Sequence, residues 1–585
     1  MTMKRRRSNF SFGATPMVRY KRSRFNLAHE VKTSVSVGKL YPIDVTEVLP
    51  GDTFKFRSNA LVRVSTAFLR PVMDNAYMDL YYFFVPSRLC YDRFEETMGE
   101  NKKSAWANLD PPDLPVTTDV GYVHSGTVAD YMGLPVGKIP AGINLLPFRG
   151  FALIYDQWFR NENTVDPMLV QTGDVGASEI FSNNQWSPSN YMGKLPYVGK
   201  RKDYFTSCLP APQKGQAVSL SLGDTAPLDV VTKVNPNVTY LSVQNGPVSE
   251  AFSPRWFDSG SDARSGYVVG TGSLNGGISS SAFFGGNFVN QGVASMSLAF
   301  DPRRLDLQST GVADLSQATA MNVNDLRFAF QLQKMYEKDA RYGTRYREYL
   351  LGHFGVSNPD ARMQIPEFLG GRRIPINVQE VAQTNTQQES ESGAVESPLG
   401  TLGATSLSAM RSRFTKSFTE HGYLYVCACV RVNHTYQQGI NKMWSRKSRN
   451  DMYDPLFANI GEQPVWRSEI YGYADANPEG LKGNAFGYQE AWAEYRYKPN
   501  QVTGQMRSNW NNLVPNTLDI WHFGDNYANA PLLSEQFTNE TPVYFDRTVA
   551  VPSTSQDNFI VDFAFDIDAY RVMPMYSVPG LIDHH

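Results

Sequence analysis

Apolar positions along the chain fall into short stretches of period two, one long stretch of helical period, and broad intervals with no period. Thr53–Arg57 alternates with Phe54 and Phe56 on one face, after a turn at Leu49-Pro50-Gly51-Asp52, and Leu61–Phe68 forms a second run. Tyr77–Val85 is apolar at nearly every position until Pro86 stops it, as in a strand covered on both faces. Tyr423–Val432 and Asn558–Arg571 alternate again near the end. A helix is predicted from a cap at Asn324 through Leu326, Phe328, Phe330, Leu332, Met335 and Tyr336 to Gly343. A shorter one runs from Thr344 through Tyr346, Tyr349 and Leu350 to Gly352. The intervals 104–150, punctuated by Pro and Gly, and 380–410, rich in Gln, Ser, Glu and Gly, read as loop. Many short strands, few helices and long loops indicate an all-β sandwich or barrel with large insertions.

The Gly- and Ser-dense stretch 259–292 reads as a surface insertion, which costs little entropy. The glycines of Gly270–Gly277 miss the spacing of a dinucleotide fingerprint and have no strand-then-helix frame. Composition sharpens the class. Charged residues are 19% of the 585, below the roughly 25% usual for soluble domains. Aromatics reach 13%, which suits pleated half-buried faces and surfaces hidden against neighbours. The four cysteines, Cys90, Cys208, Cys427 and Cys429, are too few for a disulfide framework and imply synthesis in a reducing compartment. No apolar run approaches the roughly 20 residues of a membrane span, and no signal peptide is evident, so a soluble protein made inside the cell is expected.

Charge is segregated. The first 29 residues carry Lys4, Arg5, Arg6, Arg7, Arg19, Lys21, Arg22 and Arg24 with no acid, whereas the whole chain has net charge -2. The arm therefore holds +8 and the remainder -10 (-2 minus +8). Residues 1–30 are expected to be an extended arm, with a polyanion as its partner or, on the plainer reading, only solvent. Eight cations meeting single-stranded phosphates would give a log affinity falling with log salt at a slope of about -5 to -6.

Three other groups invite chemistry. His421, Cys427, Cys429 and His434 hold metal-ligand types, but C-x-C within a strand favours structural cysteines. Asp562, Asp566 and Asp568 share one face of a strand opposite Phe563, Phe565 and Ile567, suited to a cation, to acid/base work, or to contacts with Arg or Lys. Lys442, Trp444, Arg446, Lys447 and Arg449, with Tyr495, Arg496, Tyr497 and Lys498, mix cations with aromatics, which fits single-stranded nucleic acid and protein interfaces equally. No catalytic motif stands out, and no enzyme activity and no cofactor are expected.

Blocks spread over the chain carry a resemblance. They include Val48-Leu49-Pro50-Gly51-Asp52-Thr53-Phe54, Pro71-Val72-Met73-Asp74-Asn75, Phe83-Phe84-Val85-Pro86 and Leu209-Pro210-Ala211-Pro212-Gln213-Lys214-Gly215. Further ones are Asp339-Ala340-Arg341, Gly343-Thr344-Arg345-Tyr346, His353-Phe354-Gly355-Val356, Pro359-Asp360-Ala361-Arg362, Phe418-Thr419-Glu420-His421-Gly422-Tyr423, Tyr436-Gln437-Gln438-Gly439, Met443-Trp444-Ser445-Arg446 and Phe486-Gly487-Tyr488-Gln489-Glu490. The last is Tyr576-Ser577-Val578-Pro579-Gly580-Leu581-Ile582-Asp583-His584. In this order they resemble the major capsid protein family of the Microviridae, on its gokushovirus-like branch; 213–320 matches poorly, and Cys90-Tyr91 departs from the expected aromatic.

The resemblance implies an eight-stranded antiparallel jelly roll with long inter-strand insertions and a few helices. It implies self-assembly into an icosahedral T=1 shell that encloses circular single-stranded DNA. Implied partners are the packaged DNA, a small basic packaging protein, scaffolding and minor spike or pilot proteins, and a host receptor met by outer loops, without membrane insertion. The virion is the implied location, after assembly in a bacterial cytoplasm. The organisation expected is an arm at 1–30, a first part of the jelly roll at 31–205, a surface insertion at 206–320 that forms threefold protrusions, and a helical excursion with the rest of the jelly roll at 321–585. Two other classes compete: a soluble single-strand binder used in replication, marked by tight DNA binding of the monomer, and a β-sandwich carbohydrate-active enzyme dependent on Asp566 and Asp568.

Overall fold

The computed structural model describes residues 21–100, 111–174, 183–215, 364–382, 402–509 and 513–576, with the short segments 228–231, 239–241, 255–257, 266–268, 310–313, 323–342 and 351–352. Ten strands build its two main sheets: β1 (Ser23–Asn26), β2 (His29–Val35), β3 (Tyr41–Val48), β4 (Thr53–Val64), β5 (Ala76–Pro86), β6 (Glu367–Pro375), β7 (Val378–Ala382), β8 (Leu402–Ser417), β9 (Gly422–Val432) and β10 (Phe559–Arg571). A six-stranded sheet has β1 and β2 on one side of β10, followed by β4, β8 and β7. A four-stranded sheet has the order β6-β5-β9-β3, and every pairing in both sheets is antiparallel. The all-β class with few helices is what the strand pattern predicted.

The six-stranded sheet is two-faced. On β4 the residues Phe54, Phe56, Ser58, Ala60, Val62 and Val64 are buried, and on β10 Phe559, Val561, Phe563, Phe565, Ile567 and Ala569 are buried. This face meets the four-stranded sheet through aromatic rings. Tyr82 of β5 lies 5.4 Å from Phe56 and 4.9 Å from Phe414 of β8, while Phe56 and Phe414 stack at 5.1 Å. The Tyr82 hydroxyl is satisfied by Ser58 Oγ at 2.5 Å, so a polar atom is tolerated in the interior. Two expected runs on β4 are therefore one strand, because small Ser58 and Ala60 keep the inward alternation between the aromatic and aliphatic halves.

β5 and β9 are covered on their second face as well, as the apolar run at 77–85 predicted. The cover comes from α1 (Leu146–Ile154) and the helical turn that continues it to Phe159. The Tyr425 hydroxyl donates to the Pro147 carbonyl at 2.7 Å, and Gly150 lies so close to the Tyr425 ring that any Cβ there would collide with it. Phe83 and Tyr81 meet Phe159 at 5.9 and 5.2 Å. Reading 104–150 as loop missed the start of this helix, together with the small hairpin Gly121–Val123/Gly137–Ile139.

Three further expectations change. The sheet begins at Ser23, so residues 23–30 lie in or between strands and the arm ends earlier than residue 30. Strands β7 and β8 enter the 380–410 interval from both sides; residues 383–401 lie outside the described residues. The long helix is present as α2 (Val323–Tyr342); of the second one only 351–352 are described, and these are helical. The turn at 49–52 forms as expected, with Gly51 at φ 88° and the buried Asp52 carboxylate accepting from the Leu49 amide at 3.0 Å. Residues Ala217–Gln333 cluster as a second compact unit, whose described strands pair Leu228–Val231 with Thr310–Ala313, and Arg255–Phe257 with Thr239–Leu241 and Gly266–Val268. Most of the 259–292 stretch lies outside the described residues. Among the described residues no helix is long and apolar enough to cross a membrane.

Just past β9, His434 is enclosed by two carboxylates. Its Nδ1 lies 3.1 Å from Asp525 Oδ1 and its Nε2 3.2 Å from Glu540 Oε2, while Lys200 Nζ approaches Asp525 at 3.3 Å. Burial alone would push the imidazole down, but Asp525 and Glu540 outweigh it and hold His434 up to about 9. Asp525 is held below the usual carboxylate range, since Lys200 and His434 outweigh its burial. A raised histidine stabilises fully below its unfolded pKa of about 6.5, and the stabilisation is lost as pH climbs through about 9. Urea unfolding should therefore show stability falling between about pH 6.5 and pH 9.5. His434→Gln should flatten a large part of that fall and cost about 3–5 kcal/mol near neutrality, because it leaves two buried carboxylates short of a partner. His29, held up to about 9 chiefly by Asp44 and more exposed to solvent, supplies the other part of the slope.

Candidate nucleic-acid interface

The face of the six-stranded sheet turned away from the core carries the charge. Alternation sends Lys55, Arg57, Asn59, Leu61 and Arg63 of β4 outward, and with them Leu407, Ala409, Arg411, Arg413 and Thr415 of β8. On β10 the outward positions include Asp562, Asp566 and Asp568. The register lines up Asp566, Arg57 and Arg413 in one row, and Asp568, Lys55 and Thr415 in the next.

The acids are spent on the β1/β2 side of this face. Asp568 accepts from Arg24 Nη2 at 2.6 Å and from Arg57 Nη2 at 3.3 Å, Asp566 from Arg57 at 2.8 Å, and Asp562 faces Lys32 at 3.7 Å. The three carboxylates thus hold the sheet edge together through cations of the same chain. Among the described residues no group of His, Cys, Asp and Glu is arranged to hold a metal ion.

The β4/β8 side is left cationic. No acid occupies an outward position on either strand, and Arg413 lies directly opposite Arg57, whose guanidinium is already committed to Asp566. Like charges placed opposite each other across strands are destabilising unless something neutralises them. Arg63, Arg411 and Arg413 are exposed, and Lys55 sits 5.2 Å above the Tyr570 ring. A flexible polyanion can be held here through phosphate contacts with no reading of bases.

Of the residues predicted to bind nucleic acid, Lys4, Arg5, Arg6, Arg7 and Arg19 lie outside the described residues. Lys21 and Arg22 are exposed immediately before β1, and Arg24 is turned onto Asp568. Ser23 pairs with Arg571, and the neighbouring Tyr570 pairs with Thr53, which pairs with Ser417. The arm therefore leaves the sheet at the end where Lys55 and Arg413 lie. Sequence reading missed Lys55, Arg57, Arg63, Arg411 and Arg413; the signal was their spacing at every second residue within strands.

The other candidates separate. Cys427 and Cys429 are buried inside β9, and burial pushes the Cys429 thiol up to about 11; His421 packs against Phe94 at 5.8 Å. The late basic and aromatic residues do come together. Arg446 lies 4.4 Å above the Tyr495 ring, Lys442 and Arg446 reach Glu494 at 3.7 and 3.0 Å, and Arg496 reaches Glu490 at 2.6 Å.

Residues 14–581 match the family described as capsid protein (F protein). The chain is 37% identical to capsid protein VP1 of Chlamydia phage 1, with 97% of each chain covered. It is 35% identical to capsid protein VP1 of Bdellovibrio phage phiMH2K, covering 99% of each, and 38% identical to that of Spiroplasma virus 4, covering 96% of this chain and 95% of the relative.

Replacing Arg411 and Arg413 by Gln should weaken binding of a poly-dT oligonucleotide at low salt. It should also make the slope of log affinity against log salt shallower by about 1.4, with the urea midpoint unchanged. Fluorescence anisotropy across a salt series measures both, and an unchanged slope removes the β4/β8 face from the interface.

Proposed function

Because the chain belongs to the capsid protein (F protein) family of the Microviridae, we propose that its copies close into an icosahedral T=1 shell around a circular single-stranded DNA genome. The facing sheets supply the jelly roll of that shell, with the eight-stranded framework extended by edge strands and interrupted by the long excursion between β5 and β6. Closure comes from isologous and heterologous contacts between copies rather than from any catalytic step.

The observation that carries the DNA side is the cationic, acid-free outward face of β4 and β8, in the sheet from whose end the basic arm departs. Lys4, Arg5, Arg6, Arg7, Arg19, Lys21 and Arg22 meet phosphates, and Arg24, held by Asp568, anchors the root of the arm. The face and the arm point inward, leaving the more acidic remainder of the chain to the shell and its exterior. The insertion at 206–320 forms the threefold protrusions, and outer loops meet the receptor of a bacterial host. A small basic packaging protein, scaffolding proteins and minor spike or pilot proteins complete the particle, assembled in the host cytoplasm.

Co-expression with the accessory proteins, followed by electron microscopy, tests the shell; monomers alone under every condition would refute it. Removing residues 1–20 leaves β1 in place. The truncated chain should form shells of normal diameter whose ratio of absorbance at 260 to 280 nm drops to that of empty particles. Failure to form shells would assign the arm to assembly instead.

A further inference from the structure

We propose that the aromatic surface formed by residues 443–460 and 492–497 is a contact between two copies of this chain. The inference rests on the capsid reading and says where on the subunit one assembly contact lies.

Six side chains define the surface: Trp444, Met452, Tyr453, Leu456, Ile460 and Tyr495. Leu456 is 88% exposed, Trp444 70% and Met452 58%. Its centre is joined by contacts: Tyr453 lies 6.1 Å from Tyr495 and 5.7 Å from Trp492, whose Nε1 donates to the Phe457 carbonyl at 2.8 Å. Trp492 takes the left-handed conformation, at φ 64°. For a bulky residue that conformation is strained and persists where the surroundings enforce it.

Area and charge both identify the occupant. Together the six expose on the order of several hundred Å², a large part of the roughly 800 Å² that one side of a stable interface buries. The cations nearest the rings are neutralised, while Lys447, Arg449 and Lys498 stay exposed around them. Glu494 takes Lys442 and Arg446, Glu490 takes Arg496, and Asp451 takes Lys482. A nucleic acid would find few free charges at the centre of this surface, whereas a second protein surface would find aromatic anchors beside satisfied polar groups. That distinguishes two readings which the mixture of Arg, Lys, Trp and Tyr in the sequence left equal. Since a shell protein's most abundant neighbour is itself, the occupant is another copy.

The native cysteines Cys90, Cys208, Cys427 and Cys429 are all buried, so a Leu456→Cys variant offers one exposed thiol. Its maleimide labelling should be at least tenfold slower in assembled shells than in released subunits. A short bifunctional reagent should then yield a product of two capsid chains. Equal labelling rates, or cross-linking to a different protein, would overturn the proposal. A second variant, Trp444→Ser with Leu456→Asp, should keep the wild-type urea midpoint and lower shell yield at least tenfold; wild-type yield would also overturn it. If the unsubstituted chain forms no shells alongside, the capsid reading fails first.

Discussion

Burial of β5 and β9 on both faces is the constraint on which the rest of the molecule depends. Two adjacent strands whose side chains are apolar in both directions need two partners, and a single facing sheet supplies only one. The second cover is drawn from the long excursion after β5, where α1 approaches close enough that position 150 admits only glycine. This part of the excursion is thus a structural layer of the fold. Its cost is the interior burial of charged groups, met by pairing: Asp79 of β5 is held by Arg373 at 2.5 Å, and His434 is held between Asp525 and Glu540.

The six-stranded sheet needs one cover only, and its other face is free to carry charge. Alternation converts this freedom into a pattern, because each strand contributes every second residue outward. Acids on β10 match basic residues on β1, β2 and β4, and the match ends at β8, which brings Arg411 and Arg413 and no acid. A net charge of -2 for the whole chain conceals this local imbalance. A stability argument accounts for the paired half, where ions cross-link neighbouring strands. It does not account for Arg411 and Arg413, which face outward on β8 with no acid on the same face of that strand or of β4.

Elements with large inward side chains were legible in the sequence. β5, β9, β10 and α2 were found because Phe, Tyr, Val and Ile mark their periods unmistakably. β8 was lost because its inward residues begin with Ala404, Ser406 and Ser408, which look polar or neutral although they are buried. β4 was cut in two for the same reason at Ser58 and Ala60. Small residues are needed opposite Tyr82 and its neighbours, so the positions that fit the core best give the weakest signal. The cationic face could not be seen until β8 was aligned with β4, since its residues lie some 350 positions apart in the chain (Arg413 minus Arg57 is 356). Arg24 illustrates the converse: by position it belongs to the basic arm, and by contact it belongs to the sheet.

Two mixtures of cations and aromatics in one chain end with different chemistry because of where their carboxylates lie. On the β4/β8 face the acids are one strand away and already engaged, so excess charge remains, and the attraction it exerts on an anion is long-ranged and sensitive to salt. Around Trp444 and Tyr495 the acids are interleaved, with Glu490 and Glu494 among the rings they flank. Charge is cancelled next to the rings, and what they expose is hydrophobic area, whose attraction is short-ranged and indifferent to moderate salt. In the proposed shell, subunits have to stay together at ionic strengths that weaken contacts to phosphate. Two surfaces with different salt responses, one sensitive and one indifferent, would let one subunit meet both demands.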